Sequence, residues 1–167
     1  SGFWFNYGGE SSASASVNSN GTVSLMTGSV DIGGSRTSIA MQLAEGLGIS
    51  AEAVRPTVAD TDAVGYTEGT YGSRTTFATG WAVFELGKLL KEKLSERVAM
   101  IWKTESDKIQ FEHGNFSFDN KQLTFAELAA RLDETGGPVV ASAAVRPEQY
   151  GPAFATHIVD VEVDPET

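Results

Sequence analysis

Two stretches of the chain carry the residue types that bind anions. The first is Gly28-Ser29-Val30-Asp31-Ile32-Gly33-Gly34-Ser35-Arg36, and the second is Gly69-Thr70-Tyr71-Gly72-Ser73-Arg74. Each leads into a helical pattern. A helix start presents unpaired N–H groups and a partial positive charge. Glycine lets the backbone approach a ligand closely. Each stretch also ends on a Ser and an Arg in the first helical turn. Gly33, Gly34, Ser35 and Arg36 with Thr70, Tyr71, Gly72, Ser73 and Arg74 therefore read as one cradle for a phosphate or pyrophosphate. Taken singly, either loop reads first as a plain strand-to-helix connection. The spacing matches neither a P-loop nor a dinucleotide fingerprint.

Other candidates are weaker. Asp60-Thr61-Asp62 has the composition of a metal pair or an acid/base pair. The blander reading is a polar loop whose Asp side chains cap nearby backbone. His113 sits in a turn beside Gly114 and reads as solvated, while His157 reads as a polar partner within a strand. Neither shows metal-ligand spacing. Ser35 and Ser73 have no visible His and Asp partners, so a serine triad is not expected. With no cysteine in the chain, disulfides, thiolate metal sites and cysteine nucleophiles are excluded. The sequence therefore offers no catalytic and no metal-ligating residue.

The loops need a frame. Ala13, Ala15 and Val17 alternate with serines, which predicts a strand. Asn20-Gly21 predicts a two-residue hairpin turn with positive φ at both positions, and the return strand runs from about residue 22 to 27. Ile39, Leu43 and Leu47 predict a helix ended by Gly48. Residues 54–58 predict a short strand, placed at an edge by Pro56. The stretch from 60 to 72 has no hydrophobic period. A long helix is predicted from about 73 to 103, with Phe77, Trp81 and Phe84 on its core stripe and Leu90, Leu94, Val98 and Ile101 continuing it. Further on, residues 109–111 and 116–118 predict strands around His113-Gly114. Thr124 with Glu127 predicts a capping box opening a helix with Phe125, Leu128 and Leu132 on one face. Val139-Val140 and residues 157–163 read as two more strands. The expected class is α+β: a mixed or antiparallel sheet with one long helix and two shorter ones. Residues 1–104 form the loop-bearing part and 105–167 a smaller α+β part.

The 167 residues are 41% hydrophobic and 20% charged, ordinary values for a globular domain. A net charge of −10 argues against a general nucleic-acid binder, which needs a basic face. A local anion site built from backbone N–H groups is compatible with that charge. No apolar run approaches the roughly 20 residues that span a bilayer. The expected location is the cytoplasm, with no membrane and no nucleic acid as partner. Phe3-Trp4-Phe5 already reads as a strand and Asp164-Pro165-Glu166-Thr167 as an opening turn, so both ends read as cut from a longer chain.

The order of motifs resembles the molybdenum-cofactor-binding large subunit of the xanthine dehydrogenase, aldehyde oxidase and carbon monoxide dehydrogenase family. The residues that carry the resemblance are Gly21 to Gly28, Ile32-Gly33-Gly34, Gln42-Leu43-Ala44, Leu47-Gly48-Ile49, Val54, Asp60-Thr61-Asp62, Gly80, Ala82 and Val161 to Thr167. It is strongest at Gly69 to Arg74, where it resembles the carbon monoxide dehydrogenase branch. The resemblance implies a piece of a larger molybdopterin-binding region. The cofactor is molybdopterin with molybdenum, often the cytosine dinucleotide form in bacterial members. Carried over by position, Gly33, Gly34, Ser35 and Arg36 line a first cofactor loop and Thr70, Tyr71, Gly72, Ser73 and Arg74 a second, with Asp60, Thr61 and Asp62 toward the nucleotide end. It further implies a hydroxylase-type oxidoreductase whose partners are the remainder of the large subunit and iron–sulfur and flavin subunits or domains. The family's catalytic Glu belongs to a later segment, so this stretch alone is expected to be inactive. The family's Gly-Gln-Gly has its Gln replaced by Gly33 here. The alternative is a non-catalytic binding or assembly module with the same fold. A third reading is a simple phosphate or nucleotide binder working through the two helix starts.

Overall fold

The computed structural model describes residues 1–58, 60, 62–148 and 151–165, with the backbone alone at 4–6, 58 and 151–154. Its centre is a four-stranded sheet. Strand β1 (Gly2–Asn6) stands apart, and β2 (Ser11–Val17) opens the sheet. Ser11, Ala13, Ala15 and Val17 are buried and the serines between them are half-buried, as the alternation demands. β3 (Val23–Thr27) pairs antiparallel with β2, Val17 opposite Val23. The turn between them differs from the expectation. Gly21 N–H donates to Asn18 O at 3.0 Å and Asn18 N–H to Thr22 O at 2.9 Å, and Gly21 has φ 79° while Asn20 is not among the positive-φ residues. This is a three-residue loop in which Gly21 alone takes the left-handed conformation. Asn20 instead accepts from Thr22 N–H through its side chain at 3.0 Å.

Helix α1 (Ser35–Leu47) buries Ile39, Ala40, Leu43, Ala44 and Leu47 and ends at Gly48 with φ 61°. Ile49 N–H donates back to Ala44 O at 3.0 Å, closing the end in the Schellman manner. The chain then enters β4 (Val54–Val58), which runs parallel to β3 and forms the sheet edge that Pro56 requires. The long helix begins with a π-helical turn (Thr75–Thr79) and continues as α2 (Gly80–Trp102), with Lys103 as a left-handed cap. Both helices lie on the sheet and on each other: α2 packs on β2, and α1 on β4 and α2.

The buried stripe of α2 is Val83, Leu86, Leu90, Leu94 and Val98, with Ala82 and Gly87 beside it. Phe77, Trp81 and Phe84 do not belong to it. Trp81 is 41% and Phe84 53% exposed. At 100° per residue, Phe84 and Leu90 cannot share a face. The three aromatics instead wall a groove of about 710 Å³ with Met41, Gln42 and Glu45 of α1.

Strands β5 (Gln110–Glu112), β6 (Asn115–Phe118) and β7 (Lys121–Thr124) form a small antiparallel sheet. The two-residue turn with positive φ at both positions lies here, at His113 (47°) and Gly114 (74°). That turn meets the end of α1: a Cβ on Gly48 would lie 2.4 Å from Gly114 N, and one on Gly114 2.5 Å from Gly48 O. The capping box at Thr124 and Glu127 is present, but α3 (Phe125–Ala129) is short and Leu132 falls in a separate 3-10 turn (Leu132–Thr135). β8 (Val139–Val145) leaves the small sheet's side of the chain and pairs with β2 from Ser11↔Val145 to Val17↔Val139. Residues 105–167 thus complete the central sheet begun by residues 1–104, and one hydrophobic core runs through both.

The strand expected over 157–163 is absent. β9 (Gly151–Ala155) pairs antiparallel with β1, and residues 156–164 carry no regular structure. Ile158, Val159, Val161 and Val163 are 75–89% exposed, and His157 is exposed too. Alternating apolar residues favour a strand only when another strand pairs with them, and here none does among the described residues.

Candidate functional site

The first Gly-rich loop leaves β3 at Thr27. Ser29 is buried, its N–H donating to Thr27 Oγ1 at 3.3 Å. Its neighbour Gly28 is wedged against the segment that follows Asp62: a Cβ there would lie 3.3 Å from both Val64 and Thr67. Beyond Val30 the loop is exposed. Gly33 (φ 107°) and Gly34 (φ 101°) are both left-handed, and no atom lies within 4 Å of a Cβ built on either. Their N–H groups gather on one internal anion. Asp31 Oδ1 accepts from Gly34 N–H at 2.8 Å and Gly33 N–H at 3.2 Å, with the Ser35 hydroxyl at 3.3 Å. Arg36 Nε stands 3.7 Å from Asp31 Oδ2. The Gly34 amide above all, then the Gly33 amide, the Ser35 hydroxyl and the Arg36 amide, hold the Asp31 carboxyl below its ordinary value. Asp31 is a loop residue beyond those expected from the sequence. The signal was there, since Asp two residues before a Gly pair is an Asx turn.

The second loop is built around Arg74, and its guanidinium does not face outward. It is 0% exposed. Nε donates to Gly8 O (2.9 Å), Nη1 to Glu68 O (2.7 Å), and Nη2 to Glu10 O (2.7 Å) and Ser11 Oγ (2.6 Å). A buried cation is here solvated by carbonyl dipoles and one hydroxyl. The side chain closes the loop onto its own start and pins it to the irregular segment that leads into β2. Gly72 (φ 53°) and Ser73 (φ 58°) make two successive left-handed residues, an uncommon state for Ser73. Gly72 is also pressed against Tyr7, whose ring a Cβ would meet at 1.9 Å. Tyr7 N–H donates to Gly72 O at 2.9 Å. Thr70 Oγ1 accepts from Thr75 Oγ1 at 3.3 Å. Tyr71 donates its hydroxyl to Glu68 Oε2 at 2.7 Å, which lowers the Glu68 carboxyl and raises the Tyr71 phenol. Beside this loop lies a cleft of about 450 Å³ lined by Tyr7, Gly8, Gly9, Glu68, Tyr71 and Arg146, among others.

Asp60 caps backbone. Its Oδ1 accepts from Asp62 N–H at 3.1 Å, and its carbonyl from Ala63 and Val64 N–H, each at 3.1 Å. Asp62 is exposed, and Thr61 lies outside the described residues. The segment after Asp62 then runs past β2, where Ser12 N–H donates to Thr67 Oγ1 at 3.3 Å. The structure therefore brings the start of the first loop, residues 64–67 and the base of the second loop to one end of the sheet. Among the described residues, no hydrogen bond joins Gly33–Arg36 directly to Thr70–Arg74. The link is internal: Ser29 Oγ lies 2.7 Å from Thr79 Oγ1, one turn into the helix that the second loop opens. No three His, Asp or Glu side chains come together as a metal-ligand cluster among the described residues. No helix among them is long and apolar enough to cross a membrane.

The chemistry offered is that of neutral donors. Gly33 and Gly34 leave the loop open above, and its neutral donors, the Gly33 and Gly34 amides and the Ser35 hydroxyl, are turned onto Asp31. A side chain at Gly33 or Gly34 would fill the open space above the loop.

Comparison with known proteins bears on the same stretch. The family model described as "Molybdopterin cofactor-binding domain" matches residues 1–167. The chain is 26% identical over 157 residues to the putative xanthine dehydrogenase molybdenum-binding subunit XdhA of Escherichia coli (strain K12), a match covering 89% of this chain and 21% of that protein. It thus spans about a fifth of the length of the curated relatives it matches. Among solved structures, the reconstituted CO dehydrogenase from Oligotropha carboxidovorans shares the fold with a TM-score of 0.79 at 22% identity, over 90% of this chain and 22% of that one. The quinoline 2-oxidoreductase from Pseudomonas putida 86 does so with a TM-score of 0.72 at 21% identity, over 86% of this chain and 20% of that one.

Proposed function

The chain belongs to the molybdopterin cofactor-binding domain family, and from that premise we propose that its two Gly-rich loops hold the pterin and phosphate of the cofactor. The observation that carries the reading is the pair Gly33 and Gly34: both left-handed and open above, so that a ligand can come close to the backbone. In this proposal Gly33, Gly34, Ser35 and Arg36 line the first contact and Thr70, Tyr71, Gly72 and Ser73 the second. Arg74 acts from within, shaping the second loop through its carbonyl contacts. Asp60, Thr61 and Asp62 stand toward the nucleotide end, whose cytosine form is part of the proposal. When bound, the cofactor supplies molybdenum redox chemistry. This chain's residues bind and orient it and contribute no catalytic base.

At the level of the whole protein we propose a molybdenum-dependent oxidoreductase of hydroxylase type in the cytoplasm. Its names of reference are the xanthine dehydrogenase subunit and the CO and quinoline enzymes above. Its partners are the remainder of the large subunit and iron–sulfur and flavin subunits or domains. The stretch described here is then inactive by itself. Purification of the intact protein, followed by molybdenum analysis and pterin fluorescence, tests both levels. Protein that never carries either defeats them.

One observation favours the second reading, a non-catalytic binding or assembly module. Gly33 stands where a Gln is expected and offers no side-chain donor. A loaded but inactive intact protein would support that version.

A further inference from the structure

The two loops are joined inside the protein by a line of side chains that begins on a cation. Arg74 has donors only, so Ser11 Oγ must accept from Nη2 at 2.6 Å. Ser11 then has its own proton to give, and Thr79 Oγ1 lies 3.1 Å away. Thr79 Oγ1 lies 2.7 Å from Ser29 Oγ, and either hydroxyl of that pair can be the donor. Arg74, Ser11, Thr79 and Ser29 are between 0% and 2% exposed, so water does not compete for these bonds. A mid-helix Thr commonly turns its hydroxyl back to the carbonyl a turn earlier. Thr79, at the end of the π-helical turn, makes its hydrogen bonds among the described residues to Ser11 and Ser29. The line connects three elements that have no covalent reason to stay in register: the base of loop two, the start of β2, and the base of loop one.

We infer that Thr79 is a positioning residue that fixes the base of the Gly28–Arg36 loop relative to the Gly69–Arg74 loop through Ser29 and Ser11. The inference rests on the reading of both loops as cofactor loops for its purpose, though not for its geometry. Without the line, the Gly33–Gly34 amides keep their Asp31 contact, but the base of their loop is no longer fixed relative to the second loop. The cofactor then pays an ordering cost on binding that the native protein does not incur.

The test uses Thr79→Val, Thr79→Ser and Ser29→Ala in the intact protein. Amide hydrogen exchange is read first, without added ligand. Thr79→Val should speed exchange in residues 28–36 roughly five-fold while residues 139–145 stay unchanged, and Thr79→Ser should restore it. Pterin and molybdenum retained through purification should fall with Thr79→Val and recover with Thr79→Ser. Unchanged exchange over 28–36 in folded Thr79→Val overturns the inference. So does an equal acceleration everywhere that Thr79→Ser does not reverse, because that is loss of stability alone. Should Thr79→Val fail to fold, Ser29→Ala decides by the same exchange criterion. If exchange responds as expected but even the unaltered protein carries no pterin, the positioning role stands and the cofactor reading fails.

Discussion

Asp31 Oδ1 accepts hydrogen bonds from the amides of Gly34 and Gly33, so the loop carries its own anion at the start of α1. The carboxylate stands where a ligand oxygen would otherwise meet the same amides. Those bonds, that of Gly34 foremost, lower the Asp31 carboxyl in the folded state. A group lowered on folding contributes stability above its unfolded value and loses it as pH falls through the folded one. NMR titration of the Gly34 amide should therefore show a midpoint below about 3.9, the usual aspartate value. A midpoint at or above it would remove Asp31 from the loop.

Arg74 is a strut. Arg74→Ala removes the donors that meet the Gly8, Glu68 and Glu10 carbonyls and the Ser11 hydroxyl and leaves a void at a fully buried position, and should cost about 3–5 kcal/mol in urea denaturation. Arg74→Lys keeps the charge but offers a point donor where a planar fork is needed. It should cost about 2 kcal/mol. A neutral outcome for either would mean that the guanidinium is free to meet a ligand.

Glycines that look alike in the sequence should separate by experiment. At Gly34 only the backbone conformation objects to a side chain, so Gly34→Ala should cost about 1 kcal/mol and act mainly on cofactor retention. At Gly72 the added Cβ also strikes the Tyr7 ring, and Gly72→Ala should cost about 2 kcal/mol or more. Thermal unfolding ranks them, and the reverse order would contradict the geometry.

The face of the long helix can be checked in the same way. Leu86 is fully buried and Leu86→Ala should cost about 2–5 kcal/mol. Phe84 stands in the groove, and Phe84→Ser should cost less than about 1 kcal/mol. Equal losses would place Phe84 in the core after all.

That helix also shows what could be read from the residues and what could not. Ile39, Leu43, Leu47 and Gly48 announced α1 because helix period and cap agree, and Pro56 announced an edge because proline cannot donate to a ladder. Trp81 and Phe84 have the helix period but not the phase of the core stripe, which Val83, Leu86, Leu90 and Leu94 carry. Asn20-Gly21 and His113-Gly114 were both legible as turns, but which became the two-residue type depended on register across the strands. The strand over 157–163 failed because pairing is not a local property. In the candidate site, the Gly-rich loops were visible as motifs. The inward turn of Arg74 and the line through Ser11, Thr79 and Ser29 were not, since they join residues 50 and 68 positions apart.

The close meeting of Gly48 and Gly114 constrains how this molecule can be divided. Both positions must stay bare for the α1 terminus and the small hairpin to nest, so drift at either is blocked by the other. A truncation after residue 104 would open that nest and strip β2 of its outer neighbour along its whole length. The product would be a sticky half-sheet, prone to seek replacement strands from its own copies. Any shorter version meant for solution work should keep β8 and the hairpin together with the loops.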